Sequence, residues 1–373
     1  MAKAALRLQR LTLSHFRNYC GLAWQPAAPI SVITGPNGTG KTNLLEAVSL
    51  LAPGRGLRGA RLGELAETGP GGDGTWAVAG RFAHPTEGLL DVATGTAPDG
   101  STERRAFRLD GQPASQSALR RRIAMVWLTP EMAGLFQEGA AGRRRFLDRL
   151  VYALEPGHAR ELAAYETAMS GRNRLLAEAA PDTAWLAGLE DSMARHAVAV
   201  AAARRLVAAG LARVLPEVAP GLPAVGLMLA CPIAERLAEA PALAVEEWLA
   251  GELAARRPAD RQAGGAKLGV HRSDLSMRIL PGGMPASRAS TGEQKALLLS
   301  VVLAQAALVA ERRGFAPLLL LDEPVASLDA ERRRALLAIL AAGGLQVLMT
   351  GAEAELFRGL GAKAEFLPPA GGW

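Results

Sequence analysis

Cysteine is almost absent from this chain, which contains only Cys20 and Cys231 among its 373 residues. The two cysteines lie far apart, and neither belongs to a closely spaced pair of the kind that binds zinc or builds a disulfide framework. We therefore predict neither a structural zinc site nor a disulfide bond, and we expect both cysteines to fill the core.

Long apolar runs are missing as well. The longest one, residues 296–310, is interrupted by Ser300 and Gln305 and is shorter than the roughly 20 residues that span a bilayer. The first three residues show neither the apolar stretch nor the small-residue cleavage site of a secretory signal. We therefore expect no membrane partner and a cytoplasmic location.

Lysine is rare, because nearly all of the 42 basic residues are arginines. The formal net charge is +6 and the isoelectric point lies near 9.8. A basic surface attracts nucleic acid at long range, so this charge favours a polyanionic partner, although a general excess of Ala and Arg accounts for part of it. Because lysine is rare, the presence of Lys41 and Lys295 inside motifs indicates that these two positions require a lysine.

The periodicity predicts strands at 6–13 and 30–34, followed by a glycine-rich turn and an amphipathic helix. Residues 75–109 are typical of an antiparallel meander. From 131 to 215 the period becomes helical, and a short strand at 224–230 is possible within this insertion.

After residue 268 the pattern predicts a strand, a loop and a long helix, then an apolar strand at 318–321, a helix near 330–340 and a strand at 346–349. This order predicts an α/β fold whose first lobe holds a mixed sheet and the glycine-rich loop, with a largely helical second lobe inserted. The predicted bounds are 1–132 and 265–373 for the two parts of the first lobe, and 133–264 for the second.

The glycine-rich segment satisfies the phosphate-loop pattern in full and stands between a strand and a helix, as that pattern requires. Glycines let backbone N–H groups surround phosphate oxygens, and the helix N-terminus adds favourable partial charge. We expect Lys41 to reach the β and γ phosphates and Thr42 to bind Mg²⁺. The segment consists of Gly35, Pro36, Asn37, Gly38, Thr39, Gly40, Lys41 and Thr42.

Two carboxylates, Asp322 and Glu323, follow the apolar strand 318–321. A strand buried on both faces that ends in acidic residues suits a nucleotide site at the carboxyl edge of a sheet. Asp322 is expected to contact Mg²⁺, and Glu323 to orient and deprotonate the attacking water. A polar turn after a core strand is the alternative, but the phosphate loop favours ATP or GTP hydrolysis.

The segment 290–294 resembles the signature motif of ABC-type ATPases. A serine hydroxyl and a glycine N–H at a helix start form an anion site, although the segment taken alone also fits an ordinary helix cap. Residues 326–329, after the carboxylate strand, resemble the D-loop of the same class. The resemblance implies that Ser290, Gly292 and Asp329 bind nucleotide held by a second subunit, so that two chains enclose two nucleotides.

Two weaker elements accompany these motifs. Thr350 stands where transporter ATPases carry a switch histidine, and we count it among the nucleotide-binding residues. Residues 126–131 resemble the loop that links nucleotide to the helical lobe, with Glu131 in place of the usual glutamine. For Thr350 and Glu131 a plain turn residue at a strand end is the alternative.

The spacing of these motifs and several local segments resemble those of the RecF family. The interval from Lys41 to Ser290 is longer than a compact transporter ATPase leaves, and far shorter than the coiled coil of an SMC-type protein. Four segments carry the local resemblance, which spans nearly the whole chain and is weakest between 156 and 265: residues 15–19, 54–61, 143–148 and 271–275.

The RecF resemblance implies a cytoplasmic protein of DNA repair, replication and the SOS response, with ATP and Mg²⁺ as cofactors. It implies an ATP-dependent homodimer that binds single- and double-stranded DNA at gap junctions and helps RecO and RecR load RecA. Hydrolysis would be slow and would act as a dimerisation switch, with Lys41, Glu323 and Ser290 as catalytic residues. Arg17 and Asn18 would lie near the nucleotide base.

Arg55, Arg58 and Arg61 follow the phosphate-loop helix, and we expect them to contact DNA phosphates. Each could instead be a solvated surface residue or reach the phosphates of the nucleotide. Three alternative functions are weighed against the RecF family: a transporter ATPase docked on a permease, a structural head of the SMC kind, and an ATPase of a defence system.

Overall fold

The computed structural model describes residues 4–67, 74–97, 99 and 104–368, and these form two compact units. The units differ from the predicted lobes at 133–134 and 214–224, which join the first unit, and at 265–288, which joins the second. The lobe boundaries themselves stay a prediction. The first unit comprises the described parts of Met1–Gly134, Val214–Ala224 and Ala289–Trp373, and the second comprises Leu135–Arg213 and Val225–Arg288.

The strands of the described chain are numbered in sequence order. They are β1 (Arg7–Phe16), β2 (Tyr19–Trp24), β3 (Ile30–Thr34), β4 (Ala77–His84), β5 (Gly88–Thr96), β6 (Arg105–Leu109), β7 (Gln112–Pro113), β8 (Met125–Leu128), β9 (Ala224–Ala230), β10 (Asp274–Leu280), β11 (Met284–Pro285), β12 (Leu318–Leu321), β13 (Val347–Gly351) and β14 (Ala364–Leu367).

The α-helices are numbered in the same way. They are α1 (Lys41–Leu50), α2 (Gln116–Arg122), α3 (Ala140–Tyr152), α4 (His158–Ala177), α5 (Thr183–Val218), α6 (Pro232–Arg236), α7 (Ala242–Ala255), α8 (Arg257–Gln262), α9 (Thr291–Arg313) and α10 (Ala330–Ala342).

The first unit contains two sheets of different construction. A six-stranded antiparallel sheet has the order β2-β1-β4-β5-β6-β7, which includes the predicted meander. A five-stranded parallel sheet has the order β14-β3-β13-β12-β8. The first unit thus combines a parallel sheet, an antiparallel sheet and helices, and the predicted α/β class is confirmed.

The parallel sheet positions the candidate site because its central strands end together. Strand β12 consists of four leucines that are all fully buried, as expected for a parallel strand covered on both faces. Strand β13 pairs with both β12 and β3, so the chain segments that follow these three strands meet at one edge of the sheet.

Helix α9 contains a long apolar stretch. It is long and apolar enough to cross a membrane by length and composition alone, but 83% of its apolar window is buried inside the protein. Ser290 caps its N-terminus and Gly314, in the left-handed conformation, ends it. Its apolar sequence is therefore accounted for by packing within the core.

The second unit is mainly helical and contains the small sheet β11-β10-β9. Its apolar core surrounds Ala197, Ala201 and Leu249. Two fully buried arginines, Arg172 and Arg204, lie within the unit and are paired with carboxylates.

Only one of the two cysteines lies in the core, although we expected both to do so. Cys231 is buried, whereas Cys20 is exposed on β2. The expectation that both cysteines fill the core is therefore wrong for Cys20, because side chains alternate between the two faces of a strand and Cys20 falls on the solvent side.

Candidate nucleotide-binding site

The phosphate-loop segment joins β3 to α1 and folds around the side chain of Lys41, which is only 5% exposed. Lys41 Nζ donates to the carbonyl oxygens of Gly35 and Pro36 at 2.6 and 2.8 Å. Gly38 and Gly40 have φ values of 82° and 90°, a region that favours glycine. The loop therefore has the conformation that the glycine pattern predicts, with its lysine held inside.

Gly40 is also required for a close contact with the β1–β2 hairpin. A Cβ atom at Gly40 would lie 2.2 Å from Asn18 Nδ2, so the Asn18 amide would have to move from its present position. Asn43 Nδ2 donates to Asn18 Oδ1 at 2.7 Å, and the Tyr19 hydroxyl donates to the Gly40 carbonyl at 3.3 Å. Burial raises the pKa of Tyr19 to about 12, so this hydroxyl keeps its proton.

A buried carboxylate, Glu46, fixes Arg17 on the same side of the loop. Arg17 Nε and Nη2 donate to the two Glu46 oxygens at 2.9 Å each, and Glu46 is 1% exposed. Arg58 lies 3.6 Å from Glu46 and donates to Asn43 Oδ1 at 2.8 Å. Our sequence reasoning missed Glu46 and Asn43, although a charge within the apolar run of α1 was a signal that a buried partner was needed.

Asp322 is the centre of the candidate metal site. Its Oδ1 accepts hydrogen bonds from the Thr42 hydroxyl at 3.1 Å and the Thr350 hydroxyl at 2.6 Å. Burial raises the pKa of Asp322, the two hydroxyl donors oppose this rise, and the charges of Glu323 and Glu131 add to it.

The donor set around Asp322 fits Mg²⁺. Carboxylate and hydroxyl oxygens are ligands that this cation prefers, and a nearby cation would offset the burial of the carboxylate. Because both hydroxyl donors engage Oδ1, Oδ2 of Asp322 and the lone pairs of Thr42 are left for such an ion.

Glu323 is held by its backbone in the left-handed region, with φ of 49°, which is strained for a residue with a side chain. Its N–H donates to Thr350 Oγ1 at 2.8 Å, and its carbonyl accepts from Lys295 Nζ at 2.5 Å. Burial lowers the pKa of Lys295, while the charges of Glu323 and Asp322 raise it. Lys295, which the sequence marked as informative, thus supports the backbone of Glu323.

The signature and D-loop segments form a second group around the start of α9. Ser290 and Glu293 make a capping box, in which the Glu293 carboxylate accepts from the Ser290 N–H at 2.9 Å. A Cβ atom at Gly292 would lie 2.6 Å from the carbonyl oxygen of Ser327, so only glycine allows these segments to touch. Asp329 caps α10 by accepting from the Arg332 N–H at 2.8 Å.

The predicted site residues therefore fall into two groups within the first unit. The phosphate loop, Asp322 and Thr350 are joined by direct hydrogen bonds. No hydrogen bond described for this chain connects Ser290 or Asp329 to the phosphate loop.

The arginines expected at DNA lie in different surroundings. Arg55 and Arg61 are exposed, and the Arg61 backbone N–H donates to Glu64. The Arg58 guanidinium is engaged with Asn43 and lies beside Glu46, as described above.

Comparison with known proteins agrees with this geometry. The family model described as RecF/RecN/SMC N terminal domain matches residues 7–364. A "DNA replication and repair protein RecF" from Mesorhizobium japonicum is 46% identical over 369 residues, covering 98% of this chain and 96% of that protein. The chain belongs to the RecF family. A RecF from Agrobacterium fabrum is 44% identical, with 96% of each protein covered.

Solved structures show the same fold at lower identity. A structure of the recombination mediator protein RecF-ATPrS in the RecFOR pathway superposes with a TM-score of 0.83 and 21% identity, covering 98% of this chain and 97% of that one. An Smc head domain from Pyrococcus furiosus superposes with a TM-score of 0.52 and 16% identity, covering 97% and 93%. The RecF-family chain thus has the mixed ABC-like head fold, and RecF membership favours DNA repair over a transporter or defence ATPase.

Proposed function

We propose that this RecF-family protein is an ATP-dependent DNA-binding protein of recombinational repair. It binds Mg-ATP, dimerises on it, engages DNA at single-strand gaps and hydrolyses ATP slowly to release the dimer. The observation that carries the proposal is the hydrogen-bonded connection between the phosphate loop and Asp322 through Thr42, which brings a phosphate cradle and a buried carboxylate together.

Each residue of the site has a separate proposed role in binding or hydrolysing ATP. The backbone N–H groups of the phosphate loop surround the phosphates of ATP, and Lys41 exchanges its loop carbonyls for phosphate oxygens. Thr42 and Asp322 hold Mg²⁺, which neutralises phosphate charge when bound. Glu323 orients the attacking water and accepts its proton, and its fixed backbone limits where the carboxylate can point.

Dimerisation completes the site. Ser290 and Gly292 present a hydroxyl and backbone N–H groups at the start of α9, where the helix dipole favours an anion. They meet the γ-phosphate held by the second subunit. Asp329 lies beside this contact, and Arg17 and Asn18 border the nucleotide base.

The proposed partners follow from RecF membership. They are DNA, a second copy of this chain, and the proteins RecO, RecR and RecA, in the cytoplasm and as part of the SOS response. Arg55, Arg58 and Arg61, which are all exposed, are proposed to contact DNA phosphates. Such contacts neutralise phosphates with little preference for base sequence.

The test is the equilibrium binding of the full chain to a gapped duplex, followed by fluorescence anisotropy with and without Mg-ATP. We expect ATP to raise the affinity and Lys41→Arg to lose that gain, because the larger, planar guanidinium of arginine does not fit the loop that encloses the compact lysine ammonium. Thr39→Ser, which keeps the hydroxyl that bonds Pro36, is the matched control and should retain the gain. Nucleotide binding without any ATP effect on DNA affinity would contradict the proposal.

A further inference from the structure

The outer face of the antiparallel sheet carries arginines that the candidate nucleotide site does not use. The strand register shows which side chains share this face. Arg10 lies opposite Arg81, and Arg81 lies opposite Asp91. On the next row Arg108 lies opposite Ala93. All three arginines are exposed.

The other positions of this face contribute little negative charge. Arg7 also belongs to it, because it pairs with Ala83, two residues from Arg81 on the same strand. Two acidic residues lie on this side: Asp91 on β5, and Asp110, which follows β6 and whose Oδ1 accepts from the Asp91 N–H at 2.9 Å. The remaining members are small, hydroxyl-bearing or aliphatic: Thr12, Ser14, Gly21, Ala23, Ala77, Ala79, Ala83, Leu89, Ala93, Gly95 and Ala106.

The two arginines that face each other differ in how they are paired. Arg81 donates to both oxygens of Asp91 at 2.8 Å, whereas Arg10 makes no hydrogen bond or ion pair with any residue that the structure describes. The Arg81 hydrogen bond lowers the pKa of Asp91, and the charge of Arg10 contributes to that lowering. Like charges directly opposite each other destabilise a sheet, and Asp91 offsets this repulsion through Arg81, which leaves the Arg10 guanidinium available to a bound anion.

The arginines surround a shallow hollow. A cavity of about 340 Å³ is lined by Arg10, Arg81 and Arg108, and its floor includes Ala79 and Ala93. Small side chains between long cationic ones let a large polyanion approach the sheet closely. The guanidinium groups can then meet phosphates from the sides.

We propose that this sheet face binds the sugar-phosphate backbone of duplex DNA. The inference rests on the proposed DNA-binding function and gives it a surface. Arg10 and Arg108 stand three strand spacings apart, roughly 14 Å, which is comparable to a major groove about 12 Å wide. Single-stranded DNA is bound largely by stacking on aromatic residues, and the positions named above include none, so the face fits a duplex.

The experiment compares two double variants of the full chain that lose the same charge. Arg10→Gln with Arg108→Gln alters the sheet face, and Arg121→Gln with Arg358→Gln removes two exposed arginines elsewhere. Binding to a fluorescent blunt duplex and to a single strand is measured with Mg-ATP over a series of salt concentrations. ATP affinity is measured for every variant, and should be unchanged.

We expect the sheet-face variant to bind the duplex roughly tenfold more weakly, and its log-log salt slope to fall by about 2, one phosphate contact for each arginine. The control variant and single-strand binding should change much less. The inference is wrong if the sheet-face variant keeps the duplex affinity and slope of the unaltered protein, if the control loses as much, or if single-strand binding falls equally. Failure of the unaltered protein to bind duplex would overturn the inference together with the proposed function.

Discussion

Thr350 has a single hydroxyl proton, and its surroundings decide where that proton goes. The hydroxyl oxygen accepts the N–H of Glu323 at 2.8 Å, and the proton is donated to Asp322 at 2.6 Å. Thr350 is fully buried, so both bonds are shielded from water. At this scale the residue links the candidate metal ligand to the backbone of the candidate general base.

Thr350→Val keeps the shape of the side chain and removes both hydrogen bonds. We expect the maximal rate of ATP hydrolysis to fall about 10- to 100-fold, since outer-shell partners of metal ligands contribute effects of that size. Thr350→Ser should retain most of the rate, because it keeps the hydroxyl. The measurement is steady-state phosphate release at saturating ATP over a range of Mg²⁺ concentrations, and equal rates for the Val and Ser variants would disprove this role.

At the scale of the element, Asp329 has two roles: it caps the N-terminus of α10, and it belongs to the segment that resembles the D-loop. Its Oδ1 accepts from the Arg332 N–H at 2.8 Å and so caps α10. We expect Asp329→Ala to lower the free energy of unfolding by about 1 kcal/mol, as measured by urea denaturation, while Asp329→Asn preserves it because Asn caps equally well.

The same pair of variants separates capping from a role at the nucleotide. If Asp329 acts only as a cap, the Asn variant should hydrolyse ATP at the rate of the unaltered protein. Loss of hydrolysis in a stable Asn variant would instead support the proposed contact with nucleotide across the dimer. An Ala variant as stable as the unaltered protein would contradict the capping account.

For the whole molecule, acid should weaken the fold through the buried carboxylate of Asp148. Burial would raise the pKa of Asp148, but hydrogen bonds from His158 and Arg204 hold it below the ordinary value of 3.8. A carboxyl group with a depressed pKa adds stability above its unfolded pKa, and this contribution is lost as the pH falls through the folded value. We therefore expect the free energy of unfolding to decline as the pH is lowered below about 4.

Urea titrations at pH 7 and at a pH below 4 test this expectation. Arg204→Met should reduce the stability at pH 7 by about 3–5 kcal/mol, because it leaves a buried carboxylate without its main partner. The variant should also lose less stability on acidification, because the carboxyl group is then less acidic in the folded state. A variant with an unchanged pH dependence would show that Asp148 does not contribute to it.

Local sequence was sufficient to predict the elements that carry the candidate site. The apolar run 318–321 became β12, the β-branched run 30–34 became β3, and the glycines of the phosphate loop adopt the positive φ angles that their pattern implies. Glycine spacing and hydrophobic period act over a few residues, so they can be read without knowing the fold. The class of fold followed from the order of these motifs, and the RecF resemblance followed from their spacing and from four local segments.

Contacts between distant segments depended on the tertiary structure. The sequence alone did not indicate that Glu46 would be the partner of Arg17, that Thr350 would bond Asp322, or that Lys295 would support the backbone of Glu323. Likewise, Arg10 and Arg108 share a sheet face only because four strands pair in one register. A motif consists of neighbouring residues, so its chemistry can be recognised from the sequence. Hydrogen-bond partners and the distribution of surface charge depend on strand pairing and packing between distant segments, so they require the tertiary structure.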